Sequence, residues 1–159
     1  MRKMAAGPED MPTMADIGSM SGLDFIEAIR DGTLPAAPIA MTLDYDLVEA
    51  KPGWVVFAGV PKFEFYNPIG SVHGGWFGTL LDSCMACAVQ TMLPKGRGYT
   101  TLEYKINILR AATTASGLIR AEGKAIHVGR RTATAEGRMV DEAGKLYATG
   151  TTTCLVMDL

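Results

Sequence analysis

The pattern of apolar and polar positions divides the chain into one long apolar segment and several strand-like stretches. Residues 74–93 are almost entirely apolar, rich in alanine and without alternation, which favours a buried helix. Residues 39–49 and 54–65 precede it as two predicted strands, separated by a Lys51-Pro52-Gly53 turn. A succession of strands follows the helix, predicted over 99–109, 117–128, 131–140 and 145–156.

The strand predicted over 99–109 alternates most clearly. One face carries Leu102, Tyr104, Ile106 and Ile108, and the other carries Thr101, Glu103, Lys105 and Asn107. Thr100 has the same parity as the apolar face, so we expect its side chain to face the long helix.

The residues ahead of the first strand are predicted to contain little structure. Residues 1–20 are rich in Met, Gly and Pro without periodicity, as in a mobile tail. Ser21 is typical of an N-cap and opens a short helix that ends at Asp31-Gly32. Pro35 and Pro38 are expected to keep the chain extended afterwards.

One long helix among five or six antiparallel strands predicts an α+β architecture, in which the sheet wraps around the helix to bury it. The expected organisation is a tail with a leading helix over 1–38, and one domain over 39–159. Because the helix is apolar all round, we expect a second subunit to cover part of it, giving a homodimer or a dimer of dimers.

Composition excludes several classes of function. A net charge of −2 over 159 residues gives no electrostatic footprint for nucleic acid. The three cysteines form an odd set, which is typical of a reducing, cytoplasmic chain. No signal-peptide pattern follows the basic residues at the start. A membrane span over 72–93 is disfavoured because Asp82 lies near its middle.

The candidate chemistry lies between Asn67 and Leu93. Asp82 is the only acidic residue of this stretch and His73 the only basic one. Burial disfavours an ionised carboxylate unless it is paired or used, and no Lys or Arg is nearby in sequence. Asp82 is therefore the first catalytic candidate, with the His73-Gly74-Gly75 turn beside it. A structural carboxylate at 82, a turn histidine at 73 and a turn initiator at Asn67 are the alternatives.

The pair Cys84 and Cys87 could suggest a redox or metal site. Both residues lie inside the apolar segment, whereas a reactive thiolate is favoured at an exposed helix N-terminus. The chain has no second cysteine pair to complete a zinc site. We therefore expect buried, inert thiols and no metal.

The spacing of Asn67, the His73-Gly74-Gly75 turn and Asp82 resembles that of the hot-dog-fold acyl-CoA thioesterases. The resemblance is strongest to the branch of the phenylacetate-pathway and 4-hydroxybenzoyl-CoA thioesterases. It covers about residues 39–157, including the segments 98–101 and 128–131.

The resemblance implies roles for residues around the predicted helix. The Gly74 N–H would point at the thioester carbonyl, as the unpaired amide at a helix start can do. Asn67 would share that oxygen or orient water, and His73 belongs to the site by position. Asp82 would act as nucleophile or as general base. Thr100 would help to hold the water.

The remaining implied roles concern binding of the substrate. Gly75 would allow substrate to approach the backbone closely. Gly129, Arg130 and Arg131 would contact coenzyme A, although both arginines could be solvated surface charges. No cofactor is implied beyond the coenzyme A of the substrate, and the acyl group could be aryl or medium alkyl.

Two other functions are compatible with the resemblance. A hot-dog hydratase or dehydratase would pair a histidine with an acidic residue, usually in other spacings. A non-catalytic acyl-CoA-binding protein is the alternative from a different class.

Overall fold

A computed structural model describes residues 3–159, in which four helices accompany a six-stranded antiparallel sheet. The helices are α1 (Met14–Gly18), α2 (Gly22–Asp31), α3 (Pro38–Thr42) and α4 (Gly74–Gln90). The strands are β1 (Tyr45–Lys51), β2 (Trp54–Gly59), β3 (Arg97–Ile108), β4 (Ile119–Val128), β5 (Thr132–Asp141) and β6 (Leu146–Asp158). The strand order is β1-β2-β4-β5-β6-β3, so β1 and β3 are the edges.

The sheet wraps around α4, which confirms the architecture expected from the sequence. Helix α4 packs against all six strands. Its buried side chains form the centre of the core, with Phe77, Leu80, Leu81 and Met85 at most 1% exposed. The four C-terminal strands begin and end within two residues of the predicted ranges.

A row of three glycines lets α4 approach the sheet. Gly123, Gly137 and Gly150 are directly paired across β4, β5 and β6. A Cβ atom at 123 would overlap the carbonyl of Cys84, and one at 137 would lie 2.8 Å from Cγ of Met85. The helix backbone at Cys84 therefore occupies the space of a side chain at 123, and the side chain of Met85 occupies that of a side chain at 137.

The predicted leading helix is confirmed. The Ser21 side chain accepts from the Asp24 N–H at the start of α2, and Gly32 ends the helix in the left-handed region with φ of 84°. Helix α1 was not predicted. Its N-cap Thr13 and its Asp16 form a reciprocal capping box.

Two of the predicted strand bounds are wrong. Residues 39–42 are helical rather than extended, because Pro38 opens α3 at the helix start, where its missing N–H is not needed. Strand β1 therefore begins at Tyr45. Strand β2 ends at Gly59 rather than at residue 65, because Phe63–Phe65 form a 3-10 turn.

Within the described part of the chain, no helix is both long and apolar enough to cross a membrane.

We predict that Gly123→Ala lowers the free energy of unfolding by about 3 kcal/mol or more, because the added methyl group meets helix backbone. The matched substitution Gly150→Ala should lower it by only about 1 kcal/mol, since its methyl group lies 3.2 Å from Cε of Met85 and 3.3 Å from the Lys105 carbonyl oxygen, contacts that a small shift relieves. Urea unfolding of both variants provides the measurement. Equal losses of unfolding free energy in the two variants would contradict the close packing of the helix backbone against Gly123.

Candidate functional site

The turn before α4 leaves one backbone donor free. His73 caps the helix, since its Nδ1 accepts from the Gly75 N–H at 2.8 Å and its carbonyl accepts from the Trp76 N–H at 3.0 Å. The Gly74 N–H lies between these two contacts and has no partner among the described residues. It is therefore available to an external acceptor, at the positive end of the helix dipole.

The side chain of Asn67 closes the loop ahead of this turn. Its Oδ1 accepts from the backbone N–H groups of Ile69 and Ser71, at 3.1 and 3.2 Å. Its Nδ2 donates to Oγ of Ser71 at 3.2 Å. These contacts are those of the turn-initiating asparagine that the sequence left as an alternative.

Asp82 lies in the middle of α4 and is half-buried. Thr101 Oγ1 donates a hydrogen bond to its Oδ1 at 3.0 Å. Burial raises the pKa of the Asp82 carboxyl, and the Thr101 hydrogen bond opposes this increase. No described Lys or Arg forms an ion pair with Asp82. The carboxylate is therefore oriented by one hydroxyl group and has no countercharge.

The predicted orientation of Thr100 is wrong: Thr101 faces Asp82 instead. The pairing of β3 with β6 shifts register between Thr101 and Glu103. Such a bulge adds one residue to a strand and reverses which face the following residues occupy. Tyr104 and Ile106 still face α4 beyond the bulge, next to Gly78. Before the bulge, the side that faces the helix belongs to Thr101.

Two cavities have Asp82 in their walls. One, of about 350 Å³, lies between α4 and the segment formed by α2, α3 and β1. Its lining is mainly apolar, with Ile26, Ile29, Leu47, Phe57 and Ala86. The other, of about 460 Å³, is bounded by α1, α2, the start of β3 and Leu159. A carboxylate at the junction of two cavities can meet a bound molecule from either one.

Comparison with known proteins identifies the family of the chain. The sequence model of the thioesterase superfamily matches residues 69–148, half of the chain. The chain belongs to the thioesterase superfamily. It is a thioester hydrolase.

Relatives of this thioesterase agree with that assignment. A phenylacetic acid degradation-related protein of Ralstonia eutropha JMP134, described as a proposed thioesterase, is 30% identical with a TM-score of 0.74, over 82% of this chain and 98% of that one. A hypothetical thioesterase of Streptococcus pneumoniae TIGR4, solved with coenzyme A, is 25% identical with a TM-score of 0.65, over 72% and 86%. A protein of Archaeoglobus fulgidus whose name proposes an esterase is 28% identical over 123 residues, 77% of each chain. The hot-dog fold and the phenylacetate-related branch expected from the sequence are confirmed.

Within a single chain of this thioesterase, the free donor and the carboxylate are far apart. Gly74 and Asp82 are eight residues apart on α4, which separates them by about 12 Å along the helix axis. A thioester carbonyl is a single small group. The two residues of a single chain therefore cannot both contact it.

The predicted coenzyme A contacts lie at a different place from Asp82. Gly129, Arg130 and Arg131 form the turn between β4 and β5, and both arginines are exposed. The carbonyl of Arg130 accepts a hydrogen bond from Arg97. The cleft at this turn includes Gly129 and Arg130 but not Asp82. Their role in binding stays a prediction.

The cysteines are free thiols. Cys84 and Cys154 are fully buried, whereas Cys87 is partly exposed and lines the 350 Å³ cavity. Burial raises the pKa of the Cys84 thiol well above its usual range and that of the Cys87 thiol to about 12. No group of three or more His, Cys, Asp or Glu residues among residues 3–159 is arranged to hold a metal ion. The expectation of inert thiols agrees with these raised pKa values.

Three other polar groups that line the two cavities were not predicted from the sequence. Tyr45 and Ser83 share a hydrogen bond of 3.0 Å between their hydroxyl groups, and Gln90 is buried at the end of α4. Periodicity alone could have placed Ser83 and Gln90 on the helix, but nothing in the sequence indicates what packs over them. A further groove of about 520 Å³ lies among charged residues such as Glu122 and Arg138, and Asp82 is not in its lining.

We predict that Asp82→Asn raises the melting temperature at pH 7. Burial raises the pKa of folded Asp82 above its unfolded value, so its favourable contribution exists below the unfolded pKa and is lost as pH rises through the folded pKa. At neutral pH the ionised group therefore destabilises the fold. Asparagine still accepts the Thr101 hydrogen bond.

Melting temperatures of the wild type and Asp82→Asn, measured from neutral to acidic pH, test the predicted direction of this effect. The advantage of Asp82→Asn should shrink as pH falls through the raised pKa of folded Asp82, and it should be absent below about 4, the pKa of the unfolded group. Glu142→Gln, at an exposed turn, serves as the control for loss of one negative charge. A lower melting temperature for Asp82→Asn at pH 7 would indicate a structural carboxylate instead.

Proposed function

We propose that this thioesterase hydrolyses an acyl-CoA thioester to a free acid and coenzyme A, with Asp82 as the reacting or activating carboxylate. The observation that carries the proposal is the environment of Asp82: a half-buried carboxylate without a countercharge, oriented by Thr101, at the junction of two cavities. Carboxylates in such surroundings are frequent in active sites. The Streptococcus pneumoniae relative solved with coenzyme A supports the choice of substrate.

The chemistry needs few groups. Asp82 either removes a proton from the attacking water or attacks the carbonyl carbon itself to form an anhydride that water then opens. The leaving thiolate needs little help from an acid, because a thiol has a pKa of ~8.5. An N–H donor at the carbonyl oxygen stabilises the developing oxyanion, typically by about 3 kcal/mol. The free Gly74 N–H suits this role, and no metal or cofactor is required.

We further propose that the site is built across two copies of the chain. The separation of Gly74 and Asp82 on one helix requires a donor from elsewhere, and a second copy supplies the same donor. Strand β3 is a sheet edge of 12 residues, and it carries Leu102 and Tyr104 at 57% and 45% exposure. A long edge strand with exposed apolar side chains is a template for pairing with another chain.

The geometry of β3 supports a particular pairing. Asp82 lies beside Thr101, whereas Gly74 lies beside Ile108, whose Cδ1 is 3.3 Å from the position of a Cβ on that glycine. Antiparallel pairing of two β3 strands about Lys105, with Leu102 as the extra residue of the bulge, would set Ile108 of one copy opposite Thr101 of the other. Gly74 of one copy would then approach Asp82 of the other, and both members of the site would be duplicated by symmetry.

The other sequence-predicted residues keep narrower roles in this proposal. His73 fixes the helix start and so orients the Gly74 N–H, while Asn67 shapes the loop before it. Gly75 keeps the approach to this turn open. Gly129, Arg130 and Arg131 offer an exposed basic turn for the phosphates of coenzyme A. With three free thiols and this substrate, we expect a cytoplasmic protein.

Mixing two inactive variants tests the shared site. Asp82→Asn removes the carboxylate, and Gly74→Pro removes the N–H while proline remains compatible with the first helical position. We expect each variant alone to lose ~100-fold or more in kcat for a reactive acyl-CoA. Subunit exchange between them should restore activity, because each hybrid dimer contains one site with both groups intact.

Two controls accompany the exchange. Gly74→Ala keeps the N–H and should retain most activity, which separates loss of the donor from added bulk. Sedimentation should show a dimer or larger assembly for every variant. An active monomer, or hybrids as inactive as their parents, would contradict the shared site.

The pH dependence tests the pairing of Thr101 with Asp82. Hydrolysis needs ionised Asp82, so kcat/KM should rise with pH through its pKa, which burial raises above the usual range. Thr101→Val removes a hydrogen bond that lowers this pKa, so the acidic limb of the profile should move to higher pH. Thr100→Val is the matched control and should leave the limb in place. If the acidic limb moves with Thr100→Val and not with Thr101→Val, the role predicted for Thr100 from the sequence would be supported instead.

A further inference from the structure

The last residue of α4 carries a buried amide that the fold does not satisfy. Gln90 is 3% exposed, and its Nε2 is enclosed without a hydrogen-bond partner among the described residues. Its backbone carbonyl is used, because it accepts from the Leu93 N–H at 3.0 Å. An enclosed amide donor without a partner destabilises a fold, so each such group in a native protein requires an explanation.

Gln90 lies in the wall of the 460 Å³ cavity that also contains Asp82. The two residues are eight positions apart on the same helix, about 12 Å along its axis. Tyr99 and Thr101 line the cavity from β3. The cavity therefore extends from the carboxylate at the middle of α4 to Gln90 at its end.

The opposite wall comes from the N-terminal part of the chain. Met14 and Ile17 of α1 and Phe25 of α2 line the cavity, and all three precede the family match over residues 69–148. These side chains are apolar and cannot pair with the amide. Gln90 is therefore a polar group at one end of the cavity, and the apolar side chains of α1 and α2 offer it no hydrogen-bond partner.

We propose that this cavity holds the acyl chain and that Gln90 recognises an oxygen-bearing group near the distal end of that chain. The inference rests on the proposed function and names its substrate class: a medium-length acyl thioester with a distal hydroxyl or carbonyl group. A primary amide both donates and accepts, so a hydroxyl group can satisfy both of its ends. The apolar body of the chain contacts the wall formed by α1 and α2.

The second cavity at Asp82 has a different character. It is lined mainly by apolar side chains of α2, α3, β1 and β2, and Gln90 is not part of it. An acyl chain without a polar end has no reason to prefer the Gln90 cavity. Discrimination between chains that differ by one distal oxygen is therefore the signature of the proposed recognition.

Paired substrates and a nearly isosteric variant test the proposal. The probes are octanoyl-CoA and ω-hydroxyoctanoyl-CoA, compared by kcat/KM. Wild-type protein should prefer the hydroxylated chain by roughly three- to tenfold, the range expected for one neutral hydrogen bond. Gln90→Met should abolish this preference. Met14→Leu changes the apolar wall of the same cavity and should retain the preference.

The melting temperature separates recognition from a structural role. Gln90→Met removes an unsatisfied amide, so its melting temperature should equal or exceed that of the wild type. A reduced melting temperature with an unchanged substrate ratio would overturn the proposal, as would a wild type that does not distinguish the two chains.

Binding of the two free acids, octanoate and ω-hydroxyoctanoate, keeps this test independent of turnover. Calorimetry should show the same preference in Kd, and Gln90→Met should again abolish it. Absence of hydrolysis with retained discrimination would defeat the proposed reaction and leave the recognition by Gln90 standing. If the wild type and Gln90→Met hydrolyse both thioesters with equal efficiency, the proposed reaction stands and recognition by Gln90 is refuted.

Discussion

The close approach of α4 to the sheet is the constraint on which the rest of this structure depends. Three paired glycines leave the space that the helix backbone at Cys84 and the side chain of Met85 occupy. Because the helix packs so closely against the sheet, its two ends and its middle have fixed positions relative to the strands. This packing determines the positions of the free N–H at Gly74, the carboxylate at Asp82 and the amide at Gln90. The chemistry of the site is therefore a consequence of packing that is remote from it.

Sequence patterns predicted the elements that depend on long, uniform periodicity. The apolar run of α4, the turn ahead of it and the four C-terminal strands all have strong local signals. Pro38 illustrates where such signals fail, because a proline can either extend a chain or open a helix, and tertiary packing decides between the two. Helix α1 was missed because five residues carry too little periodicity, although Thr13 and Asp16 have the spacing of a capping box.

The candidate site was predicted in its residue types more successfully than in its geometry. Asp82 was identifiable because an unpaired acid in an apolar segment is unusual. Its partner was assigned one residue too early, because a bulge in β3 is invisible to a simple alternation rule. The unsatisfied amide of Gln90 could not be predicted, since it depends on which side chains of α1 and α2 close over the helix end. Contacts of this kind arise from the whole fold rather than from neighbouring residues.

The position of Gly74 and Asp82 on a single rigid helix has a mechanical consequence in the proposed dimer. Each helix would contribute its first turn to one site and its middle to the other, so neither site could be adjusted alone. A substrate that draws one helix closer would displace a component of the opposite site at the same time. Two chemically separate catalytic centres would then share their moving parts, and communication between them would need no additional structure.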